Sequence, residues 1–229
     1  PPPPPPPFFY NPQDGIRDPL WSRGLGDVYK RQVSQRLTVS ALASLSDADV
    51  LILSDYNKGA VTDEGAQQLI SAANGNGIPT ICDPKLTGLN RTDGATCVLF
   101  EIRGLELTRR RLGLDTALDT ARELIEKYHW EALIGLGVTH GLWLYTAEEH
   151  HHIPCMLDEA RQIIGLHDAA AVAMAAALSQ GATLHDAATL AHAACETILS
   201  AEEGQEVLDR RTLSASLDER AWQMQVSDR

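Results

Sequence analysis

Short, unbroken apolar runs recur along this chain, separated by segments of helical periodicity, and that alternation restricts it to a small group of folds. Asp49-Val50-Leu51-Ile52-Leu53-Ser54, Gly77-Ile78-Pro79-Thr80-Ile81-Cys82, Thr96 to Phe100 and Ala132 to Leu136 each read as a strand. A run that is apolar on both sides suits a strand covered on both faces. Helices are expected over 35–46, with apolar positions at Leu37, Val39, Leu42 and Leu45; over Asp63 to Ala73, with Thr62 as N-cap; over Thr116 to Tyr128, with Asp115 before it; and over Thr183 to Ser200. Gly141 to Tyr145 and Ile153 to Met156 flank a polar turn and read as a hairpin. Strands alternating with helices imply βαβ units. The expected fold is therefore α/β: a three-layer α/β/α sandwich with a mainly parallel sheet.

The stretch Gln162 to Gly181 stands at the centre of the functional reading. Gln162-Ile163-Ile164 reads as the end of an extended segment, and Gly165 permits a tight turn because it has no Cβ to restrict φ. From Asp168 onward the chain is Ala-rich and apolar nearly all round, the pattern of a buried helix that Gly181 stops. A helix opening directly after a glycine turn aims unpaired N–H groups and a positive dipole end at whatever lies ahead. Asp168, at that start, is either an N-cap or a base held beside a bound anion.

In open parallel sheets, ligands bind beyond the carboxyl ends of the strands. After the first strand comes Ser54-Asp55-Tyr56-Asn57-Lys58-Gly59, and after the second Asp83-Pro84-Lys85-Leu86-Thr87-Gly88. Each loop carries one Asp and one Lys. Lysine is a point charge suited to phosphate; aspartate accepts from a hydroxyl or from metal-bound water. One such loop alone reads as a solvated turn. Two at one sheet edge, with the Gly165 turn, point to a phosphate-handling cleft.

These stretches, VLILSDYNKGAVT and GIPTICDPKLTGLNRTDGAT, resemble the ribokinase-like (PfkB) sugar kinases, and within them the heptose-7-phosphate kinase domains that act toward ADP-heptose and the lipopolysaccharide core. The resemblance covers about Asp47 to Ser200. It implies transfer of a phosphoryl group from Mg-ATP to a sugar phosphate, with Asp168 as catalytic base; Gly165, Leu166 and His167 as the anion hole; and Asp55, Lys58, Asp83 and Lys85 near substrate or phosphate. No protein metal ligand set is implied, and a homodimer is left open. The sequence departs from the family pattern in several places. The G-A-G-D turn is Gly165-Leu166-His167-Asp168, the following Thr is Ala169, and N-x-x-E is replaced by Glu101-Ile102-Arg103-Gly104. The nucleotide-site Thr falls near Leu136 or Gly137, and the family's upstream half, with its sugar pocket, is not represented. On this reading Leu166 fills volume meant for phosphate oxygens, and His167 replaces a glycine at a position of positive φ. A non-catalytic relative that binds a nucleotide or a partner chain is the alternative.

Composition narrows the partners. A net charge of −12 and a pI near 5.0, without a basic stripe, argue against nucleic acid or anionic membrane. No apolar run is long enough to span a bilayer. Cys82, Cys97, Cys155 and Cys195 lie far apart with no paired metal spacing, which suits reduced thiols in the cytoplasm. Glu148-Glu149-His150-His151-His152 reads as a solvated hairpin turn, and His185 and His192 as packing residues sharing a helix face. His167 is a weaker candidate for general base. Residues 1–32, opening with seven prolines and closing with WSRGLGDVYKRQ, read as a non-native or disordered leader. The kinase domain is expected over 33–200 and a polar tail with a short helix over 201–229.

Overall fold

The computed structural model describes residues 20–202 and 208–227. In chain order the elements are α1 (Leu20–Ser44), β1 (Leu51–Asp55), α2 (Asp63–Gly75), β2 (Thr80–Pro84), β3 (Cys97–Glu101), α3 (Ile102–Leu112), α4 (Ala117–Tyr128), β4 (Ala132–Leu136), β5 (Leu142–Tyr145), β6 (His150–Ile153), α5 (Leu166–Leu178), α6 (Leu184–Ser200) and α7 (Arg210–Ser227). They form one sheet in the order β1-β2-β3-β4-β5-β6. The first four strands are parallel, and β5 and β6 return antiparallel.

Strand residues alternate between the sheet's two faces, and each face has its own helical cover. Leu53, Cys82, Val98, Phe100 and Leu133 pack with apolar residues of α2 and α4. Ile81, Cys97, Leu99, Ile134 and Leu136 pack against the alanines of α5 and α6. All five residues of β4 are buried, which is why that strand reads as a continuous apolar run. Ala170, Ala187, Ala188, Ala191 and Ala194 are fully enclosed. Small side chains let α5 and α6 lie close to each other and to the sheet. The three-layer α/β/α sandwich is thus present, with its mainly parallel sheet.

Several local expectations change. The helix expected over 35–46 begins at Leu20, so the boundary drawn at residue 32 falls inside one helix, while residues 1–19 lie outside the described ones. Leu42 packs on the core, whereas Leu37 and Val39 are exposed. The histidines are not in a turn: His150 to His152 form β6, where His152 stacks on Trp143 of β5 with ring centroids 4.3 Å apart. Cross-strand aromatic pairing of this kind holds a hairpin. Gln162 to Ile164 is irregular, with both isoleucines exposed. α3 was unforeseen, since Gly104 and a run of arginines mask its period, and the tail helix α7 is long.

Burial separates the apolar positions energetically. Leu133→Ala, which empties fully buried volume, is expected to cost about 2–5 kcal/mol, and Val39→Ala, on exposed surface, at most about 0.5 kcal/mol. Urea unfolding of the two variants against the parent checks the contrast.

Candidate phosphate-handling site

Parallel pairing brings the carboxyl ends of β1 to β4 to one edge. Ser54 is in register with Asp83 and Asp55 with Pro84, so the two Asp- and Lys-bearing loops leave the sheet side by side. α5 packs over β1 and β2 on the opposite face from α2, and its first turn arrives at the same edge.

Gly165 is the residue before that turn, with φ +79°, in the left-handed region. A Cβ placed there would meet nothing within 4 Å, so the glycine is required by backbone conformation and not by crowding. Unlike α2, α4 and α6, whose Thr62, Thr116 and Thr183 side chains accept from the N–H groups of Gly65, Asp119 and Asp186, α5 has no side-chain cap. Its first in-helix bond runs from Ala169 N–H to Gly165 O (2.8 Å). The N–H groups of His167 and Asp168 therefore lie ahead of the ladder, at the positive end of a 13-residue helix. Asp168 is not the N-cap. It sits in the first turn with an exposed side chain.

The two substitutions within the turn act differently from expectation. Leu166 is buried among core residues of the α5–α6 face, so it occupies interior volume and not the space in front of the helix. His167 has ordinary helical backbone; in this turn the positive φ belongs to Gly165 alone. The effect of His167 is carried by its side chain. Its Nδ1 donates to Asp83 Oδ1 at 2.8 Å, bridging the helix start to the end of β2.

Asp55 is also engaged. It is 6% exposed, accepts the Asn57 N–H (2.8 Å), and pairs with Arg91 Nη1 at 2.6 Å. Arg91 reaches Asp63 as well (2.6 Å), and Asn57 Oδ1 at 3.1 Å. The hydrogen bond from Arg91 holds the Asp63 carboxyl below its ordinary value of 3.8. Asp63, and then Asp55, hold the Arg91 guanidinium above its ordinary value. Lys58 and Lys85 are both exposed. Lys85 Nζ lies 5.3 Å over the Tyr56 ring, tying one loop to the other. The structure thus gathers Asp83, His167 and the α5 start, and places Asp55 and Lys85 on the adjacent loops, while Lys58 and Asp168 form no ion pair among the described residues.

Arg91 escaped sequence reading because its partners are 28 and 36 residues away. Glu101 ends β3 and precedes α3, while Gly104 is buried against Leu86 and Phe100. At Gly137 a Cβ would stand 2.5 Å from the Trp143 ring, so threonine cannot occupy that position here without displacing the ring. Mg²⁺ takes oxygen donors: at this edge Asp168 is exposed, Asp83 is hydrogen-bonded to His167 through one oxygen, and Asp55 is committed to Arg91.

The pattern of the pfkB family carbohydrate kinases matches residues 23–211. The chain belongs to this family. Over 193 residues it is 33% identical to the bifunctional protein HldE of Shewanella piezotolerans, covering 83% of this chain and 40% of that protein. A point mutant of phosphofructokinase-2 from Escherichia coli superposes with a TM-score of 0.67 at 18% identity, covering 81% of this chain and 61% of its own. Ribokinase of Arabidopsis thaliana, complexed with ribose and ATP, gives 0.62 at 17% identity, over 77% of this chain and 58% of the enzyme. These similarities show a ribokinase-like fold. The pfkB-family chain therefore spans less than two thirds of each of these relatives.

The Arg91 network yields a prediction with a defined sign. Asp63 has its pKa depressed in the fold, so its contribution is complete above 3.8 and drains away as pH falls through the depressed value. Its side chain is 58% exposed, so Asp63→Asn should cost under about 1 kcal/mol at pH 7 and nothing at strongly acid pH. Arg91→Met, which strips the cation from buried Asp55, should cost about 2 kcal/mol or more. Urea midpoints at the two pH values test both.

Proposed function

We propose that this chain carries the catalytic turn of an ATP-dependent carbohydrate kinase of the heptose-7-phosphate type, working in the cytoplasm. The observation that carries the reading is the uncapped start of α5 behind left-handed Gly165, aimed at the carboxyl edge of a parallel sheet with Asp168 in its first turn. Phosphoryl transfer asks for in-line positioning and for dipoles directed at the charge of the transferring group. The N–H groups of His167 and Asp168 supply the dipoles. Asp168, exposed at the same turn, takes the proton of the attacking sugar hydroxyl. Lys58 and Lys85 lie on the strand-end loops as point charges for phosphate. Mg²⁺ arriving with ATP would supply counter-charge to the phosphate oxygens, and Asp83, through the oxygen not bonded to His167, is the carboxylate that would hold it. HldE similarity supports a heptose phosphate as substrate, and the ATP-bound ribokinase supports the nucleotide.

A second reading, nucleotide binding without turnover, is favoured by the hydrogen bond between His167 and Asp83. It occupies one oxygen of a carboxylate that the first reading needs. Mixing the chain with Mg-ATP and a heptose 7-phosphate and following ADP separates the two. ADP release that Asp168→Asn lowers by about 100-fold or more supports the kinase. ATP binding by calorimetry without ADP release supports the second reading, and neither binding nor release rejects both.

The turn itself gives a sharper expectation. His167→Gly frees Asp83 and should tighten Mg-ATP binding in a calorimetric titration. Leu166→Ala should leave that affinity unchanged and cost about 2–4 kcal/mol of stability, because Leu166 is a core residue.

A further inference from the structure

Behind the start of α5, beyond the end of β4, the segment leaving β6 meets the second half of α6, and three chemically different ligand groups converge there. Cys155 Sγ, a ring nitrogen of His192 and a carboxylate oxygen of Glu196 all lie within 4.8 Å of one another. His192 is 2% exposed and Glu196 7%, one turn apart on the helix. They border a cavity of about 10 Å³ walled by Leu136, Leu142, Leu166 and Leu199. Such a volume admits one small species.

The surroundings orient the donors. Met156 N–H donates to Glu196 Oε1 at 2.6 Å, fixing the carboxylate, and Oε2 faces His192 Nδ1 at 3.7 Å. Cys195 adjoins the group but plays another part: burial first, and then Cys155 and Glu196, push its thiol up to about 12, and Sγ–H donates to the Leu166 carbonyl at 3.7 Å. Gathering a carboxylate, an imidazole and a thiol among leucines costs desolvation. A divalent ion among them would give all three donors one shared counter-charge. One thiolate and one carboxylate balance its two positive charges, and neutral imidazole adds a third bond. A mixed sulfur, nitrogen and oxygen set selects a borderline-soft ion of the zinc class over Mg²⁺ or Ca²⁺.

We propose that Cys155, His192 and Glu196 form a Zn²⁺ site that fastens the segment after β6 to α6, with the cavity holding one further small ligand. On binding, the Cys155 S–H bond breaks, the sulfur takes the metal and the proton leaves to solvent. This site is independent of the kinase reading.

The test uses the whole chain, stripped of metal by chelator dialysis and titrated with Co²⁺ and then Zn²⁺. One equivalent of Co²⁺ should bind with a thiolate-to-metal absorption band that Zn²⁺ abolishes. Cys155→Ser should remove the band and weaken Zn²⁺ binding at least about tenfold, with Glu196→Gln weakening it similarly. Zn²⁺ should also slow alkylation of Cys155 in the unsubstituted chain, which decides the matter if the variants fail to fold. Absence of a thiolate band, or alkylation unaffected by Zn²⁺, overturns the site. So does binding that survives Cys155→Ser and is lost in His151→Ala, since the metal would then sit on β6.

Discussion

The packing of α5 against the sheet face is the contact on which the rest depends. Its alanines, and those of α6, let two helices approach a sheet whose central strand is buried on both sides. Larger side chains would lift the helix and withdraw its N-terminus from the strand ends. The same closeness places Leu166 inside and leaves His167 and Asp168 outward, because successive helical residues face directions about 100° apart. Packing of the core thus decides which residues of the Gly165–Asp168 turn can meet a ligand.

Around that helix start the chain has spent its carboxylates unevenly. Asp55 is absorbed into a network with Arg91, Asn57 and Asp63 that shapes the loop after β1. Asp83 is shared with His167. Asp168 remains exposed. A family pattern that names Asp55 and Asp83 as equivalent loop residues therefore conceals two different roles. One holds a loop in shape; the other stands beside the Gly165 turn, bonded to His167. His167 bridges the helix start to the end of β2 through its side chain, on an unstrained backbone.

The second polar cluster lies behind the start of α5, on the side of α6. Leu166 touches both: its backbone opens α5 after the Gly165 turn, and its side chain walls the cavity beside His192 and Glu196. The described helices include none long and apolar enough to cross a membrane, and no disulfide joins the four cysteines. The buried thiols of Cys82, Cys97 and Cys195 are packed within the core.

Local pattern alone determined the layers of this protein. β4 was legible residue for residue because burial on both faces leaves an uninterrupted apolar run. The Thr62 cap and the Gly165 turn were legible because their chemistry is satisfied within a few residues. The parallel sheet followed from alternation, and with it the edge where the Asp- and Lys-bearing loops leave the strands. Only the tertiary structure decided what meets at that edge. His167 and Asp83 are 84 residues apart, and Asp55 and Arg91 are 36 apart. Cys155 reaches Glu196 and His192 across a hairpin exit and two helices. Such pairs depend on register, crossover path and side-chain direction, which no local period encodes. The histidines of β6 make the same point: read as a polar turn, they are a strand, because Trp143 across the ladder gives His152 a surface to stack on.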